Sequence, residues 1–294
     1  MAKTWLITGS SRGFGRYLVE AVLAAGDNVL ATARNPAVLE DLRQDAGSRL
    51  VTLEQDVMKP EHAVRAVNTA FETFGHLDVL VNNAGYGLIG AFEEMTEEEF
   101  RSQIDTNFWG VVHTTRVAIP RLRQQGSGHI IQFTSVGGRA ANAGLSGYNA
   151  SKFAVEGFSE SIAQELKPLG IKLTIVEPSG FRTDWGGSSM HYAAPMDAYE
   201  PSVGLLRKHI ERNVGREAGD PRKAAAAVLA IARLEAPPLR LPLGKAAFSM
   251  LKHHYSNSLE SLEQWESYTN SVDFDDVTDN GENAMVTAQR NLAK

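Results

Sequence analysis

The feature that most constrains this chain is a repeated alternation of short apolar runs with longer amphipathic segments. Amphipathic segments such as residues 60–74 and 147–168 carry apolar residues at the three- and four-residue spacing of helices. Six apolar runs are typical of buried strands, at residues 4–8, 28–33, 49–53, 78–82, 129–134 and 171–176. Buried strands joined by helices form a parallel sheet, so the sequence predicts an α/β fold with a doubly wound parallel sheet of the Rossmann type.

The regular alternation ends near residue 176, and this change sets the expected domain organisation. We expect one Rossmann-type domain over residues 1–243, with a variable substrate lid at about residues 180–219 that is rich in Gly, Ser, Pro and aromatic side chains. A helix at residues 221–234 and an apolar run at residues 239–243 complete that domain. Residues 244–294 are expected to form a C-terminal helical extension and a polar tail with weak order.

Composition and charge narrow the class of ligand. The 294 residues carry a formal net charge of -6, which argues against nucleic acid or an anionic membrane as the main partner. The chain has no cysteine, and its pair His253 and His254 lacks further ligands at metal-binding spacing, so no metal site is expected. Without a signal-peptide pattern or a membrane-length apolar run, we expect a cytoplasmic protein that binds a small molecule.

The first apolar run leads directly into a glycine-rich turn that opens a helix. Gly9 would permit a tight turn, Gly13 would let the main chain approach a pyrophosphate, and Gly15 would let the helix pack closely on the strand. The spacing Gly-x-x-x-Gly-x-Gly is a variant of the generic dinucleotide fingerprint. The turn residues that we assign to cofactor binding are Gly9, Ser11, Arg12, Gly13, Phe14 and Gly15.

The end of the second strand bears on the choice of cofactor. NAD sites commonly place Asp or Glu there to hold the ribose hydroxyls, whereas this chain has Ala33 followed by Arg34. Arg34 and Arg12 would grip a 2′-phosphate through charge-assisted hydrogen bonds, so we predict NADP(H) as the cofactor. The alternative is that both arginines only solvate the surface.

A tyrosine and a lysine four residues apart are the candidates for proton transfer. Of the seven tyrosines, only Tyr148 is followed four residues later by a lysine, Lys152, and helical spacing places both on one face. A lysine ammonium is expected to lower the pKa of Tyr148 by about 1 to 3 units from about 10. Ser135 follows the fifth strand and would hydrogen-bond a substrate oxygen, and Asn107 lies in a long helical stretch.

Taken in order, these motifs resemble the short-chain dehydrogenase/reductase family, in its shorter-chain branch, over about residues 3–185. The resemblance adds Asp56 and Val57 as cofactor contacts and residues 82–85 as a family signature after the fourth strand, and it implies a catalytic tetrad of Asn107, Ser135, Tyr148 and Lys152. The remaining cofactor contacts that it implies are Asn83, Ala84, Gly85, Tyr148, Lys152, Pro178, Phe181 and Thr183. Ser179 stands where the family commonly has glycine, which puts the pocket geometry in question.

The resemblance also implies a mechanism. Hydride would pass between nicotinamide and a carbonyl carbon while Tyr148 transfers the proton, Ser135 polarises the substrate oxygen and Lys152 holds the nicotinamide ribose. Asn107 would place a water that links Lys152 to solvent. The chain is therefore expected to be an NADP(H)-dependent ketoreductase or alcohol dehydrogenase for an apolar substrate. The alternative is a catalytically silent NADP(H)-binding regulator.

Several further residues are open to two interpretations. Tyr86 follows a strand end and would touch substrate, while five residues of the lid either line an apolar pocket or pack internally: Trp185, Met190, His191, Tyr192 and Met196. Glu93, Glu94 and Glu97 to Glu99 are expected to solvate the start of a helix. By analogy with relatives, helices at residues 97–123 and 147–168 would pair in a homodimer or homotetramer.

Overall fold

The computed structural model describes residues 2–187 and 189–274 as a parallel sheet with helices on both faces. The strands are β1 (Thr4–Ile7), β2 (Asn28–Ala33), β3 (Leu50–Glu54), β4 (Val79–Asn82), β5 (Gly87–Ile89), β6 (Gly128–Phe133), β7 (Ile171–Pro178), β8 (Met190–Tyr192) and β9 (Arg240–Leu243). The helices are α1 (Gly13–Ala24), α2 (Glu40–Ala46), α3 (Pro60–Phe74), α4 (Glu97–Ile104), α5 (Gly110–Gln125), α6 (Ser146–Leu166), α7 (Leu205–Asn213), α8 (Pro221–Ile231), α9 (Lys245–Gln264) and α10 (Glu266–Asn270).

The main sheet has seven parallel strands in the order β3-β2-β1-β4-β6-β7-β9. Its strand order reverses beside β1, where Trp5 is in register with Val29 of β2 on one side and Val79 of β4 on the other. Such a reversal opens a crevice at the carboxyl ends of the two central strands, where open α/β sheets bind ligands. The predicted doubly wound parallel fold is confirmed.

Both faces of the sheet are buried, which explains why its strands read as continuous apolar runs. Successive side chains of a strand point to opposite faces. Trp5 and Ile7 of β1 belong to the core under α1 and α8, whereas Leu6 belongs to the core that includes residues of α3, α5 and α6. The cost of exposing either face therefore fixes the register of the central strands.

A second, two-stranded sheet attaches the lid to the body. Strands β5 and β8 pair in parallel, with Gly87 opposite Met190. The segment predicted to be irregular thus contains both a strand and the helix α7. Its two ends meet, because the Gly219 amide donates to the Gly180 carbonyl at 3.1 Å and the Arg182 amide donates to the Gly219 carbonyl at 3.0 Å.

The predicted C-terminal extension begins with α9, which packs on the body just after the carboxyl end of β6. Ala247 and Leu251 of α9 form a small apolar cluster with Val136. The predicted polar tail falls largely on residues 275–294, which lie outside the described residues. Within residues 2–187 and 189–274, the helices are too short or too polar to span a bilayer.

Candidate active site

A cavity of about 640 Å³ lies at the carboxyl ends of the central strands. Apart from Gly15 and Asn107, every residue assigned from the sequence to catalysis or cofactor binding borders this cavity. One half, which we name the cofactor half, is bordered by the glycine-rich turn and the ends of β2, β3 and β4. The other, which we name the substrate half, is bordered by residues of the lid and by Tyr86. Tyr148 and Ser135 border the cavity as well.

The floor of the cofactor half is the junction between the ends of β1 and β4. Gly9 has a φ of +68°, and a Cβ there would lie 2.7 Å from the Ala84 Cα, so glycine is required by both conformation and space. The Asn83 side-chain amide donates to the carbonyls of Thr8 and Gly9, each at 3.0 Å. The Thr8 hydroxyl accepts from the amides of Asn83 and Ala84, each at 3.1 Å, which locks the two strand ends together.

The remaining two glycines of the turn differ in surroundings. A Cβ on Gly15 would lie 2.3 Å from the Gly9 carbonyl oxygen, so α1 sits as close to the turn as a glycine allows. A Cβ on Gly13 would instead meet only Thr183, at 3.6 Å, so the space beside its main chain is open to the cavity. This open main chain at the start of α1 fits the phosphates of a dinucleotide, since helix N-termini favour anions.

Two arginines and an aspartate mark the outer end of the cofactor half. Arg12, Arg34 and Asp56 all border the cavity, and none of the ion pairs found in residues 2–187 and 189–274 involves Arg34. Asp56 is fixed after β3, because its carboxylate accepts from the Met58 amide at 3.0 Å. An exposed guanidinium at the end of β2 suits a phosphate better than a ribose diol.

Tyr148 and Ser135 form the hydroxyl pair at the centre of the cavity. Tyr148 lies in the first turn of α6, and Ser135 follows β6, so helix and sheet bring the two together. Burial raises the pKa of Tyr148 to about 12, and its hydrogen bond with Ser135 lowers the value only in part. The sequence predicted that Lys152 would lower the pKa of Tyr148. That prediction is wrong, because burial dominates and the pKa rises.

Lys152 lies one turn further along α6, and its ammonium is positioned over the Tyr148 ring. Its ammonium donates to the Phe133 carbonyl at 2.9 Å and lies 5.8 Å from the centre of the Tyr148 ring. Burial lowers the pKa of Lys152 to about 8, while Glu156 one turn below acts to raise it. The lysine is therefore held at the end of β6, with a proton that is lost more easily than that of an ordinary lysine.

Asn107 lies in a π-helical turn, residues Asp105–Trp109, that joins α4 to α5. Its amide accepts from the Tyr86 main-chain amide at 3.1 Å and donates to the Tyr86 carbonyl at 3.0 Å and the Ser151 hydroxyl at 3.1 Å. These bonds use all the hydrogens of the amide, so the side chain fixes the turn after β4. The water-holding role that the resemblance implies stays a prediction.

The turn after β7 closes the cavity over the first helix. The ring of Phe181 packs edge-on against Phe14, with centres 5.1 Å apart. Ser179, which departs from the family pattern, donates its main-chain amide to the Leu243 carbonyl at 3.1 Å and its hydroxyl to the same oxygen at 3.3 Å. The serine therefore ties this turn to β9, and Pro178, Phe181 and Thr183 still border the cavity.

The walls of the substrate half are aromatic. The Trp185 ring meets Tyr148 edge-on at 5.5 Å, and His191 meets Tyr86 edge-on at 5.0 Å; all four rings border the cavity. The other lid candidates do not border it: Met190 is buried under Gly87, whereas Tyr192 and Met196 are exposed. Helix α7 adds His209, Ile210 and Asn213 to the lining, and the sequence contained no signal for these three residues.

Glu94 corrects the prediction that the glutamate run is solvated. Its side chain is buried, and its carboxylate accepts from the Ala91 amide at 2.6 Å, the Met196 amide at 2.7 Å and the Arg207 guanidinium at 2.7 Å. Burial acts to raise the pKa of Glu94, but these hydrogen bonds hold the value below its usual range. One carboxylate from the body thus anchors two points of the lid, which charge patterning along the sequence did not reveal.

Known proteins of similar sequence and fold show which family this chain resembles. The chain is 43% identical over 248 residues to Oxidoreductase BOA17 of Botryotinia fuckeliana, covering 84% of this chain and 90% of the relative. A solved short-chain dehydrogenase from Streptomyces avermitilis superposes with a TM-score of 0.88 at 40% identity, over 93% of this chain and all of that one.

Two more distant structures hold nicotinamide cofactors. An alcohol dehydrogenase from Thermococcus sibiricus, complexed with 5-hydroxy-NADP, matches at 27% identity and a TM-score of 0.69, over 83% of this chain and 96% of that one. A 3-ketoacyl-(acyl-carrier-protein) reductase from Brucella melitensis, complexed with NADH, matches at 26% and 0.70, over 82% and 96%. The short chain dehydrogenase family pattern matches residues 3–192, and the chain belongs to this family of oxidoreductases.

Proposed function

We propose that this protein is an NADP(H)-dependent reductase of neutral, apolar ketones, with Tyr148 as the proton donor. The observation that carries the proposal is the pair of hydroxyls, Tyr148 and Ser135, set where the cofactor and substrate halves of one cavity meet. A carbonyl oxygen placed between them accepts a hydrogen bond from each. A bound nicotinamide cofactor supplies the hydride, and the protein supplies orientation and the proton.

The phenol of Tyr148 carries the proton that the reductive direction requires, because its pKa is raised to about 12 by burial and it is protonated at neutral pH. The raised pKa also makes it a weaker acid, so the proton moves only as negative charge develops on the substrate oxygen. Its Oη transfers that proton to the substrate oxygen as the alcohol forms. The ammonium of Lys152, 5.8 Å from the centre of the Tyr148 ring, is the cation placed to balance charge on the phenolate as it forms, although burial dominates the pKa of the resting phenol. Ser135 donates a hydrogen bond to the substrate oxygen.

The charges of the lining support a neutral substrate. The cationic side chains that border the cavity are Arg12, Arg34 and Lys152, and all three lie in its cofactor half or at its centre. The aromatic walls of Trp185 and Tyr86 suit an apolar body, since buried apolar surface drives binding in such pockets. Two relatives fit this class by name: a 3-ketodihydrosphingosine reductase at 36% identity and a 3-alpha-(or 20-beta)-hydroxysteroid dehydrogenase at 34%.

The cofactor preference follows from the end of β2. Arg34 stands where an acidic residue would hold ribose hydroxyls, and Arg12 borders the same end of the cavity. Both favour the 2′-phosphate that distinguishes NADPH from NADH. Among the more distant structures one holds an NADP derivative and another NADH, so the family accommodates either and the local charges decide.

The test is the loss of reduced-nicotinamide absorbance with NADPH and a panel of aromatic, steroid-like and long-chain aliphatic ketones, beside charged keto acids. We expect turnover of neutral ketones and none of keto acids. Tyr148→Phe should reduce the rate by about 100-fold or more, the usual size of a lost general acid, while Tyr192→Phe on the exposed lid should not. NADPH binding without turnover of any ketone would instead indicate a silent regulator.

A further inference from the structure

Two buried carboxylates and two arginines form a charge cluster beneath Lys152, and we name these four residues the buried charge cluster. Glu156 of α6 and Glu177 of β7 are 4% and 0% exposed. The Arg240 guanidinium lies 3.2 Å from the Glu156 carboxylate and 3.6 Å from that of Glu177. Arg139 donates to Glu177 at 2.7 Å. Burying carboxylates is costly even when they are paired, so stability alone does not account for this cluster.

The end of β6 makes the cluster a neighbour of Lys152. The Lys152 ammonium donates to the Phe133 carbonyl at 2.9 Å, and the hydroxyl of the next residue, Thr134, donates to the Glu156 carboxylate at 2.6 Å. Lys152 and Glu156 are also four residues apart on α6, which places them on one face of the helix. Two successive residues at the end of one strand thus hold the ammonium and the carboxylate side by side.

The carboxylate of Glu156 acts on the ammonium of Lys152 through space. The ion pairs found in residues 2–187 and 189–274 do not include one between these two groups. Burial lowers the pKa of Lys152 to about 8, and the charge of Glu156 opposes that effect. Because both groups are buried, little water screens the attraction between them. Without the carboxylate, the lysine would lose its proton at a lower pH.

The groups that face Glu156 from the surrounding elements determine its own charge. Burial raises the pKa of Glu156 to about 7, and the negative charge of Glu177 acts in the same direction. The Thr134 hydroxyl and the guanidiniums of Arg240 and Arg139 act to lower it. The carboxylate is therefore mostly ionised at pH 8, where the neighbouring lysine titrates.

Two further titratable side chains contact the cluster from outside. Glu160, one turn beyond Glu156 on α6, pairs with Arg240 at 2.9 Å and has a side chain that is 53% exposed. The Tyr255 ring of α9 lies against Arg139, with its centre 4.9 Å from the guanidinium carbon. Glu160 thus shares an arginine with Glu156 but faces water, which makes it a matched control.

We propose that Glu156 is a positioning residue that acts through Lys152: its buried carboxylate balances the ammonium and holds it, still protonated, at the edge of the cavity. The ammonium is then available to the phenolate that forms on Tyr148. The contribution of Glu156 to turnover rests on the proposed function, whereas its effect on the charge of Lys152 does not. The alternative is a structural role only, in which Glu156 ties α6 to β9 through Arg240.

Labelling of amines in the full chain tests the effect on Lys152 without any need for turnover. Reductive methylation by formaldehyde and a borane reagent modifies the neutral amine, and peptide mass spectrometry gives the rate at Lys152, with the exposed Lys223 as the internal reference. In the native chain, the rate at Lys152 should have its midpoint near pH 8. In Glu156→Gln the midpoint should fall by about one pH unit, as expected for losing a nearby opposite charge. At about pH 7.5, labelling should then be about threefold faster than in the native chain.

The controls separate charge from packing. Glu160→Gln removes an exposed carboxylate from the same helix and the same arginine, and it should leave the midpoint unchanged. Glu156→Gln keeps the shape of the side chain, and thermal unfolding would show that it folds. Thr134→Val leaves Glu156 in place but removes the hydrogen bond that lowers its pKa, so the midpoint should fall by a smaller amount.

The valine variant keeps the test decisive if Glu156→Gln does not fold. An unchanged midpoint in whichever of these two variants folds would overturn the proposal. An equal fall in Glu160→Gln would also overturn it, because the effect would not then belong to the buried carboxylate.

Turnover of a neutral ketone with NADPH gives the second readout. In Glu156→Gln the alkaline limb of kcat against pH should move to lower pH by the same amount as the labelling midpoint. The KM for the ketone should not change, since Glu156 is not among the residues that border the cavity. A labelling shift without a shift of this limb would overturn the positioning role. A native chain that reduces no ketone would remove the proposed function and leave the labelling result standing.

Discussion

The two halves of the cavity are built on different principles. In the cofactor half, the main chain itself forms the wall, because the Thr8 hydroxyl and the Asn83 amide lock the ends of β1 and β4 together. In the substrate half, one buried carboxylate, Glu94, and a three-residue strand pairing attach the lid. Substitutions in the cofactor half are therefore limited by steric clashes with the main chain. In the substrate half, the attachment of the lid depends on hydrogen bonds to a few buried polar groups.

The largest effect should come from removing the charge that anchors the lid. Glu94→Gln leaves the Arg207 guanidinium buried without its anion, which costs about 3 kcal/mol in comparable buried pairs. The substitution should raise the substrate KM and speed hydrogen exchange of amides in residues 190–213. Hydrogen exchange followed by mass spectrometry measures this, segment by segment.

Glu200→Gln is the matched control, because its pair with Lys208 lies within the lid but is about half exposed. That substitution should cost less than about 1 kcal/mol. Since the pKa of Glu94 is held low, the anchor is intact above the ordinary glutamate pKa and weakens as the pH falls through the lowered value. Equal exchange in the two variants would contradict the difference between a buried and an exposed anchor.

The second effect tests the limit of space in the cofactor half. Gly15→Ala forces a Cβ to within 2.3 Å of the Gly9 carbonyl oxygen and should cost about 2 kcal/mol of unfolding free energy, with weaker binding of NADPH. Denaturant unfolding and fluorescence titration measure the two quantities. Gly157→Ala in α6 is the control, because a Cβ there meets nothing within 4 Å and alanine favours the helix.

A third effect concerns the pH dependence of stability that the buried Lys152 should produce. Burial lowers the pKa of Lys152 to about 8, from 10.5 for an ordinary lysine, so above pH 8 the folded chain has lost a proton that the unfolded chain still binds. The contribution of Lys152 to stability therefore rises with pH, by about 2 kcal/mol between pH 8 and 9.5.

Urea unfolding across that range should show the rise in the native chain and not in Lys152→Met. The exposed Lys223→Met, on α8, should keep it. The phenol of Tyr148, whose pKa is raised to about 12, acts in the opposite direction only near and above pH 10. The same slope in the native chain and in Lys152→Met would remove Lys152 as its source.

The smallest effect concerns the rim of the cofactor half, where Arg34 is exposed. Arg34→Asp should shift the ratio of KM values toward NADH by about tenfold, because it replaces a phosphate partner with a ribose partner. Arg216→Asp, exposed near the end of the lid, should leave the ratio unchanged. Equal KM values for NADPH and NADH in the native chain would remove the assignment of Arg34.

The sequence predicted the main sheet because burial of both faces leaves a mark on every strand. It did not predict β5 and β8, since strands of three residues carry no periodicity and Gly87 pairs with a residue 103 positions away. Glu94 was hidden for a related reason: its place in a glutamate run suggested solvent, and only the fold brings Arg207 beside it.

The candidate site shows the same division. Ser135 and Tyr148 were predictable because strand ends and helical spacing bring them together, and both border the cavity. The pKa of Tyr148 was not, because burial of the hydroxyl depends on the lid above it, including Trp185. Spacing along the chain thus predicts which groups meet, while the electrostatics depend on what covers them.

The meeting of Gly180 and Gly219 gives the lid an unusual freedom to change. A segment that enters and leaves at a single hydrogen-bonded junction can be lengthened, shortened or grafted without altering the span that the sheet must bridge. The hydroxyls of Ser135 and Tyr148 and the glycine-rich turn lie outside that junction. The residues of the lid that border the cavity can therefore change without a change in the sheet that carries Ser135.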